Sequence, residues 1–71
     1  MNKIQVALIK NECIKFACSE ELKISELTND RFMAENSELI IDLHISHLQD
    51  QSAQGHSYQE TLANELCLKS N

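Results

Sequence analysis

The chain has 71 residues, a mass of 8.1 kDa and a formal charge of −5, and 42% of its residues are apolar. One glycine, no proline and no apolar run near the length of a membrane span exclude a collagen, a low-complexity tail and a transmembrane protein. The amino terminus lacks the basic start and apolar block of a secretory signal, so we expect one small cytoplasmic domain over residues 1–71.

The first predicted element is a β-hairpin. Between residues 3 and 18, apolar and polar residues alternate, and the apolar ones do not gather on one side of a helical wheel. Folding this stretch about Asn11 places Leu8 opposite Ile14, so that both apolar sets fall on one face. The sequence therefore predicts two antiparallel strands joined by a turn at residues 10–12.

Residues 20–34 carry conflicting signals. Ser19 followed by Glu20 and Glu21 is typical of a helix start, because acids are favoured at the positive end of the helix dipole. The polar run 28–30 is able to break such a helix. We predict a helix within residues 20–34, and the alternative is a short helix followed by an extended segment.

Two further elements are predicted in the second half of the chain. In residues 38–46 one side of an extended chain is wholly apolar (Leu39, Ile41, Leu43 and Ile45) and the other is mostly polar (Ile40, Asp42, His44 and Ser46), which predicts a third strand. After a polar stretch from residue 47 to 55, Ser57 and Glu60 have the spacing of a capping box and begin a helix over residues 57–69. The residues predicted to face the core from this helix are Tyr58, Leu62, Ala63, Leu66 and Cys67.

These elements predict an α+β fold, in which a small antiparallel sheet (the N-terminal hairpin plus the third strand) is packed by the C-terminal helix. An all-helical bundle is the alternative, favoured by the scarcity of glycine and proline. A core of this size stabilises a chain by only about 3–5 kcal/mol. Because Ile9, Ile40 and Leu68 have no place in the predicted core, we expect self-association, most simply a homodimer.

The three cysteines are Cys13, Cys18 and Cys67. An odd number does not describe a closed disulfide framework, so we expect reduced thiols. Each is predicted to be a small buried hydrophobic residue.

The acidic charge is concentrated in the middle of the chain. Residues 1–18 carry +2, residues 19–50 carry −6 and residues 51–71 carry −1. Without a basic patch we expect no nucleic-acid partner, and we expect no membrane partner. The acidic segment is either a solvated face or a surface for a basic protein. Its candidate interaction residues are Glu20, Glu21, Glu26, Asp30, Glu35 and Glu38.

Asp42, His44 and His47 are the candidates for metal ligation. On a strand, Asp42 and His44 project from the same face and suit a shared metal or phosphate. The alternative is that they occupy the wetter face of a half-buried strand, because the chain lacks the ligand spacing of a closed zinc site. It also lacks a nucleophile elbow and a phosphate-binding glycine loop, so we expect neither catalysis nor a cofactor.

A longer pattern covers residues 41–68. It begins with the strand motif DLHI at residues 42–45 and continues with Leu48, Asp50, Gly55, Ser57, Leu62 and Leu66. This pattern resembles the opening of a small MutS-related (Smr) domain. The resemblance implies that Asp42 and His44 belong to a nucleic-acid-linked site, although the later His-Gly-x-Gly signature of that family does not occur in this sequence.

The functional expectation is a small acidic non-catalytic module that binds a protein partner as a regulator or inhibitor. The alternative is an Smr-like nucleic-acid-binding protein or metal-assisted nuclease that uses Asp42 and His44.

Overall fold

The structure is a computed structural model that describes residues 2–70. Its elements in chain order are α1 (Lys3–Ser19), β1 (Lys23–Leu27), β2 (Arg31–Glu35), β3 (Ile40–His44), α2 (Ile45–Ala53) and α3 (Tyr58–Ser70). The strands form an antiparallel sheet in the order β1-β2-β3. The α+β class, the three-stranded antiparallel sheet and the packing of the C-terminal helix on it are thereby confirmed.

The predicted N-terminal hairpin is wrong, because residues 3–19 form helix α1. Asn2 Oδ1 accepts a hydrogen bond from the backbone N–H of Ile4 at 2.8 Å and caps the helix. The helix also exposes Leu8 and Ile14. Apolar residues therefore occupy both sides of the helical wheel. As a result, the sequence shows the alternation of apolar and polar residues that is typical of a strand rather than the period of a helix. The buried residues recur at helical spacing and are Val6, Ile9, Cys13, Phe16 and Ala17.

Helix α1 ends where the sequence predicts a helix start. The backbone N–H of Leu22 donates to the carbonyl of Ala17 at 2.8 Å, and that of Glu21 donates to the carbonyl of Cys18 at 3.3 Å. This pair of bonds is a Schellman motif, which satisfies the last carbonyls of a helix. Glu21 has the left-handed conformation that the motif requires, with a φ of 57°.

The helix predicted within residues 20–34 is wrong, because this segment contains the β1–β2 hairpin. Lys23 lies opposite Glu35, and Leu27 lies opposite Phe32. The polar run interpreted as a helix breaker is the turn of this hairpin.

Both hairpin turns are held by a side chain that binds backbone amides. Thr28 Oγ1 accepts hydrogen bonds from the N–H groups of Asp30 and Arg31 at 3.1 and 3.0 Å. In the β2–β3 turn, Asn36 Oδ1 accepts from the amides two and three residues further on, at 2.8 and 3.0 Å. Such local bonds satisfy turn amides that have no partner on a neighbouring strand.

The strand predicted over residues 38–46 is confirmed as β3 over Ile40–His44, whereas residues 45 and 46 belong to a helix. The polar stretch from residue 47 onwards lies largely in helix α2, which follows β3 directly. Ile45 and Leu48, three residues apart, are buried and anchor α2 to the core. Gly55, with a φ of 94°, ends α2 in a second Schellman motif.

The helix predicted over residues 57–69 is confirmed as α3. Ser57 Oγ accepts a hydrogen bond from the backbone N–H of Glu60 at 3.1 Å, which is one half of the predicted capping box. The Glu60 carboxylate instead lies 3.1 Å from His56 Nδ1. Ala63 and Cys67 are exposed, so their predicted position facing the core is wrong.

The core lies between the three helices and one face of the sheet. Cys13 is buried in it, whereas Cys18 and Cys67 are exposed, so the prediction of buried thiols is wrong for these two. Ile40 and Leu68 are 52% and 74% exposed. Ile9, predicted to be left over, is a core residue. The largest fully buried side chains are Phe32, Ile9, Ile41, Ile45, Leu48 and Leu62.

Candidate functional site

The sheet has one covered face and one open face. Side chains alternate along a strand, so the neighbours of buried Phe32, Ala34, Ile41 and Leu43 point away from the helices. All of these neighbours are half-buried or exposed. We call this side the open face, and its residues are Lys23, Glu26, Arg31, Met33, Glu35, Ile40, Asp42 and His44.

An ion pair joins β2 to β3 across the open face. Arg31 Nε donates to Asp42 Oδ1 at 2.7 Å, and Nη2 donates to Oδ2 at 2.6 Å, so the contact is bidentate. The strand register makes this contact, because Arg31 lies opposite His44, two residues from Asp42 on β3. Both side chains remain partly exposed, at 43% for Arg31 and 36% for Asp42.

The ion pair changes the protonation of both partners. The hydrogen bonds from Arg31 are the main cause of the lowered pKa of Asp42, while partial burial of the carboxylate opposes the shift and the charge of Arg31 lowers the pKa further. The same hydrogen bonds raise the pKa of Arg31. Asp42 is therefore a carboxylate at neutral pH, with both oxygens occupied by one guanidinium group.

The structure brings together two of the three candidate metal ligands. Asp42 and His44 lie on the open face, whereas His47 lies on the exposed side of α2. Within residues 2–70, no group of three His, Cys, Asp or Glu side chains is arranged to hold a metal ion. Asp42 and His44 therefore contribute charged and hydrogen-bonding groups to a solvent-accessible surface.

The six candidate acidic residues do not form one cluster. Glu26 and Glu35 lie on the open face. Because Lys23 lies opposite Glu35, the α1–β1 turn and the β2–β3 turn are at the same end of the sheet. That end carries Glu20, Glu21 and Glu38, whereas the β1–β2 turn at the other end carries Asp30.

Sequence reasoning missed three residues of the open face, Lys23, Arg31 and Met33, and of these Arg31 forms the ion pair. One signal was present, since Arg31 is an isolated cation in the acidic segment and directly precedes an apolar run. Its pairing with Asp42 depends on the register of two strands eleven residues apart. The composition of neither strand specifies that register.

No family model, curated protein or solved structure matches this chain. The resemblance to Smr domains therefore stays a prediction. No helix within the described residues is long and apolar enough to cross a membrane.

Proposed function

We propose that this protein is a small non-catalytic interaction module that binds a basic surface of a protein partner and acts as its regulator or inhibitor. The observation that carries the proposal is the sheet itself, with one face covered by helices and the other left to solvent. An odd number of cysteines fits a reducing compartment, so we place the module in the cytoplasm.

The composition of the open face supports binding. Met33 and Ile40 supply apolar surface, and charged side chains surround them. Protein interfaces commonly have an apolar centre with a polar rim, and they are enriched in methionine and arginine. The bidentate contact holds Arg31 in one geometry before a partner arrives, which reduces the entropy lost on binding.

The charge of the open face selects the partner. Arg31 and Asp42 neutralise each other, and Lys23 lies opposite Glu35. Glu26 and the acids of the two turns at one end of the sheet then leave a net negative rim. A basic partner surface complements this rim and is steered towards it at low ionic strength.

The test is partner capture with charge-reversal variants. The tagged protein is exposed to lysate at about 0.05 M and about 0.5 M salt, which span strong and weak electrostatic attraction. We expect Glu26→Lys combined with Glu35→Lys to weaken binding of the captured and then purified partner by about tenfold or more. Asp50→Lys is the matched control, because Asp50 is exposed on α2, away from the sheet. Salt-insensitive capture, or equal loss in both variants, would contradict the proposal.

The alternative function is Smr-like nucleic-acid binding at Asp42 and His44. One observation favours it: both residues lie on a strand that leads directly into a helix, beside the cation Arg31. A gel-shift assay at about 0.1 M salt tests it, because phosphate contacts weaken steeply with salt. Binding of DNA or RNA that disappears in folded Asp42→Ala or His44→Ala would support this alternative over the protein-binding proposal.

A further inference from the structure

Strand β3 forms one outer edge of the sheet, because the strand order β1-β2-β3 gives it a neighbour on one side only. Hydrogen bonds at both ends of the β2–β3 ladder show which residues form bonded pairs. At one end the N–H of Asn36 donates to the carbonyl of Leu39 at 3.0 Å, and at the other the N–H of Ile45 donates to the carbonyl of Asp30 at 2.9 Å. Bonded and non-bonded pairs alternate along an antiparallel ladder, and the register between these two bonds is unbroken.

This alternation assigns the backbone groups of β3 to two sides. Ile41 and Leu43 occupy bonded pairs and direct their N–H and C=O groups to β2. Ile40, Asp42 and His44 occupy non-bonded pairs, so their N–H groups point to the outer edge. Within the part of the chain that the structure describes, these three N–H groups have no hydrogen-bond acceptor. The carbonyls of Ile40 and Asp42 point the same way, whereas that of His44, the N-cap of α2, belongs to the helix.

The other outer edge of the sheet, formed by β1, is less regular. Its register is interrupted by a bulge between Ile24 and Glu26. A bulge disturbs the row of backbone groups that a further strand needs. Strand β3 has no bulge, no proline and no lysine, which are three of the features by which proteins protect an edge strand from pairing. The edge of β3 is therefore the one that suits the addition of a strand.

The side chains beside this edge limit what binds there. An added strand places alternate side chains on the open face, next to Ile40, Asp42 and His44. Ile40 is 52% exposed and gains burial from an apolar neighbour. An acidic neighbour beside Asp42 is disfavoured, because like charges opposite each other on adjacent strands are destabilising. Since the chain carries a charge of −5, a basic side chain is favoured at that position.

A second copy of β3 does not meet these requirements. Antiparallel self-pairing that uses all three outward residues has its two-fold axis at Asp42, midway between Ile40 and His44. It places the Asp42 carboxylates of two acidic chains directly opposite each other. The edge therefore favours a segment of a different protein.

We propose that the free edge of β3 binds an extended segment of a protein partner, which joins the sheet as a fourth strand with an apolar side chain beside Ile40 and a basic one beside Asp42. Backbone hydrogen bonds hold such a segment, and its alternate side chains give specificity. The inference concerns the edge of the sheet, whereas the proposed function concerns its open face. Charge reversal at Glu26 and Glu35 tests the face, and the experiments below test the edge, so each proposal fails on its own result.

A displayed library of random linear peptides of about seven residues, long enough to span β3, is the probe. We expect enriched peptides to carry an apolar and a basic residue two positions apart. Ile40→Pro should weaken their binding about tenfold or more. Proline removes an N–H that bonds to no other strand, so we expect a native circular dichroism spectrum.

Ile40→Ala is the matched control, because it also removes the isoleucine side chain but retains the N–H. It should weaken binding less than Ile40→Pro does. The absence of any enriched peptide, or equal loss of binding in the two variants, would overturn the proposal.

N-methylated forms of an enriched peptide test the hydrogen bonds without any change in the protein. Alternate N–H groups of a strand point to the same side. Methylation of one alternate set of peptide amides should therefore abolish binding, and methylation of the other set should preserve it. Binding should also slow hydrogen exchange at the amides of Ile40, Asp42 and His44.

Two results of these measurements would overturn the addition of a strand: equal tolerance of methylation in both sets of amides, or unchanged exchange at the three outward amides of β3. Sedimentation of the free protein tests the choice of occupant. A concentration-dependent dimer that Ile40→Pro abolishes would show that a second copy, rather than a partner segment, occupies the edge.

Discussion

Asp42, a candidate metal ligand in the sequence, forms an ion pair with Arg31 in the structure. Both of its oxygens accept hydrogen bonds from Arg31, and the pair is partly exposed. Exposed ion pairs contribute little to folding stability at neutral pH. The pair instead fixes two charged side chains of the open face in one geometry.

The response to acid should reveal this pair. Because the folded pKa of Asp42 is lowered, its contribution to stability is present above its ordinary pKa of 3.8 and is lost as the pH falls through the folded pKa. We expect Asp42→Asn to lose less stability than the wild type between pH 5 and acid pH, as measured by thermal melts. If the melting temperatures of the two proteins fall equally with pH, the lowered pKa of Asp42 in the folded state is contradicted.

Cys13 should be chemically inert in the folded protein. Burial is the main cause that raises its pKa from 9.0 to about 12, and the nearby charge of Glu12 adds to the effect. In a Cys18→Ser, Cys67→Ser background, we expect the remaining thiol to react with a thiol reagent at pH 8 only after denaturant is added. Because the folded pKa is raised, the stability that the protonated thiol contributes is complete below pH 9 and is lost as the pH rises towards 12. Rapid reaction of the native protein would show that Cys13 is accessible.

At the scale of elements, the two helix ends that close in Schellman motifs offer a matched comparison. Gly55 occupies the left-handed position after α2, and Glu21 occupies it after α1. The left-handed conformation costs a residue with a side chain about 1 kcal/mol relative to glycine.

We therefore expect Glu21→Gly to stabilise the protein by up to about 1 kcal/mol, raising the melting temperature by several degrees for a domain of this size. Gly55→Ala should destabilise it by a similar amount, although open space surrounds the site. Chemical denaturation measures both changes. Destabilisation by Glu21→Gly would show that the side chain of Glu21 matters more than its backbone conformation.

The elements that the sequence predicts correctly are those with a single buried side. In β3, Ile41 and Leu43 are buried and alternate with outward residues, and in α3 Leu62 is buried behind a serine cap. The same alternation places Asp42 and His44 together on the open face. For these elements the period of the apolar residues is readable directly.

For the elements that the sequence does not predict, the pattern of apolar residues differs from the usual pattern of a helix or a strand, and each difference has a physical cause. Helix α1 is apolar on two sides, so its wheel looks scattered. In β1, a bulge between Ile24 and Glu26 breaks the alternation, so that Ile24 and Leu27, three residues apart, both pack against the core. Glu21, just after the end of α1, occupies the left-handed position where glycine is the usual signal.

At the scale of the whole molecule, the sheet separates two environments. The core joins the helices to one face of the sheet, and the open face carries the ion pair between Arg31 and Asp42. The proposed partner-binding surface is therefore on the side of the sheet that the helices leave uncovered.

Chemical-shift mapping by NMR, with the captured partner titrated into labelled protein, tests the binding face most directly. The account predicts that the largest amide shifts fall in β1, β2 and β3 and in the turns that carry Glu20, Glu21 and Glu38, while α2 is unchanged. It also predicts that the shifts fade in the Glu26→Lys, Glu35→Lys protein at equal partner concentration. Shifts confined to α2 and α3, with the sheet unperturbed, would contradict the open face as the binding surface.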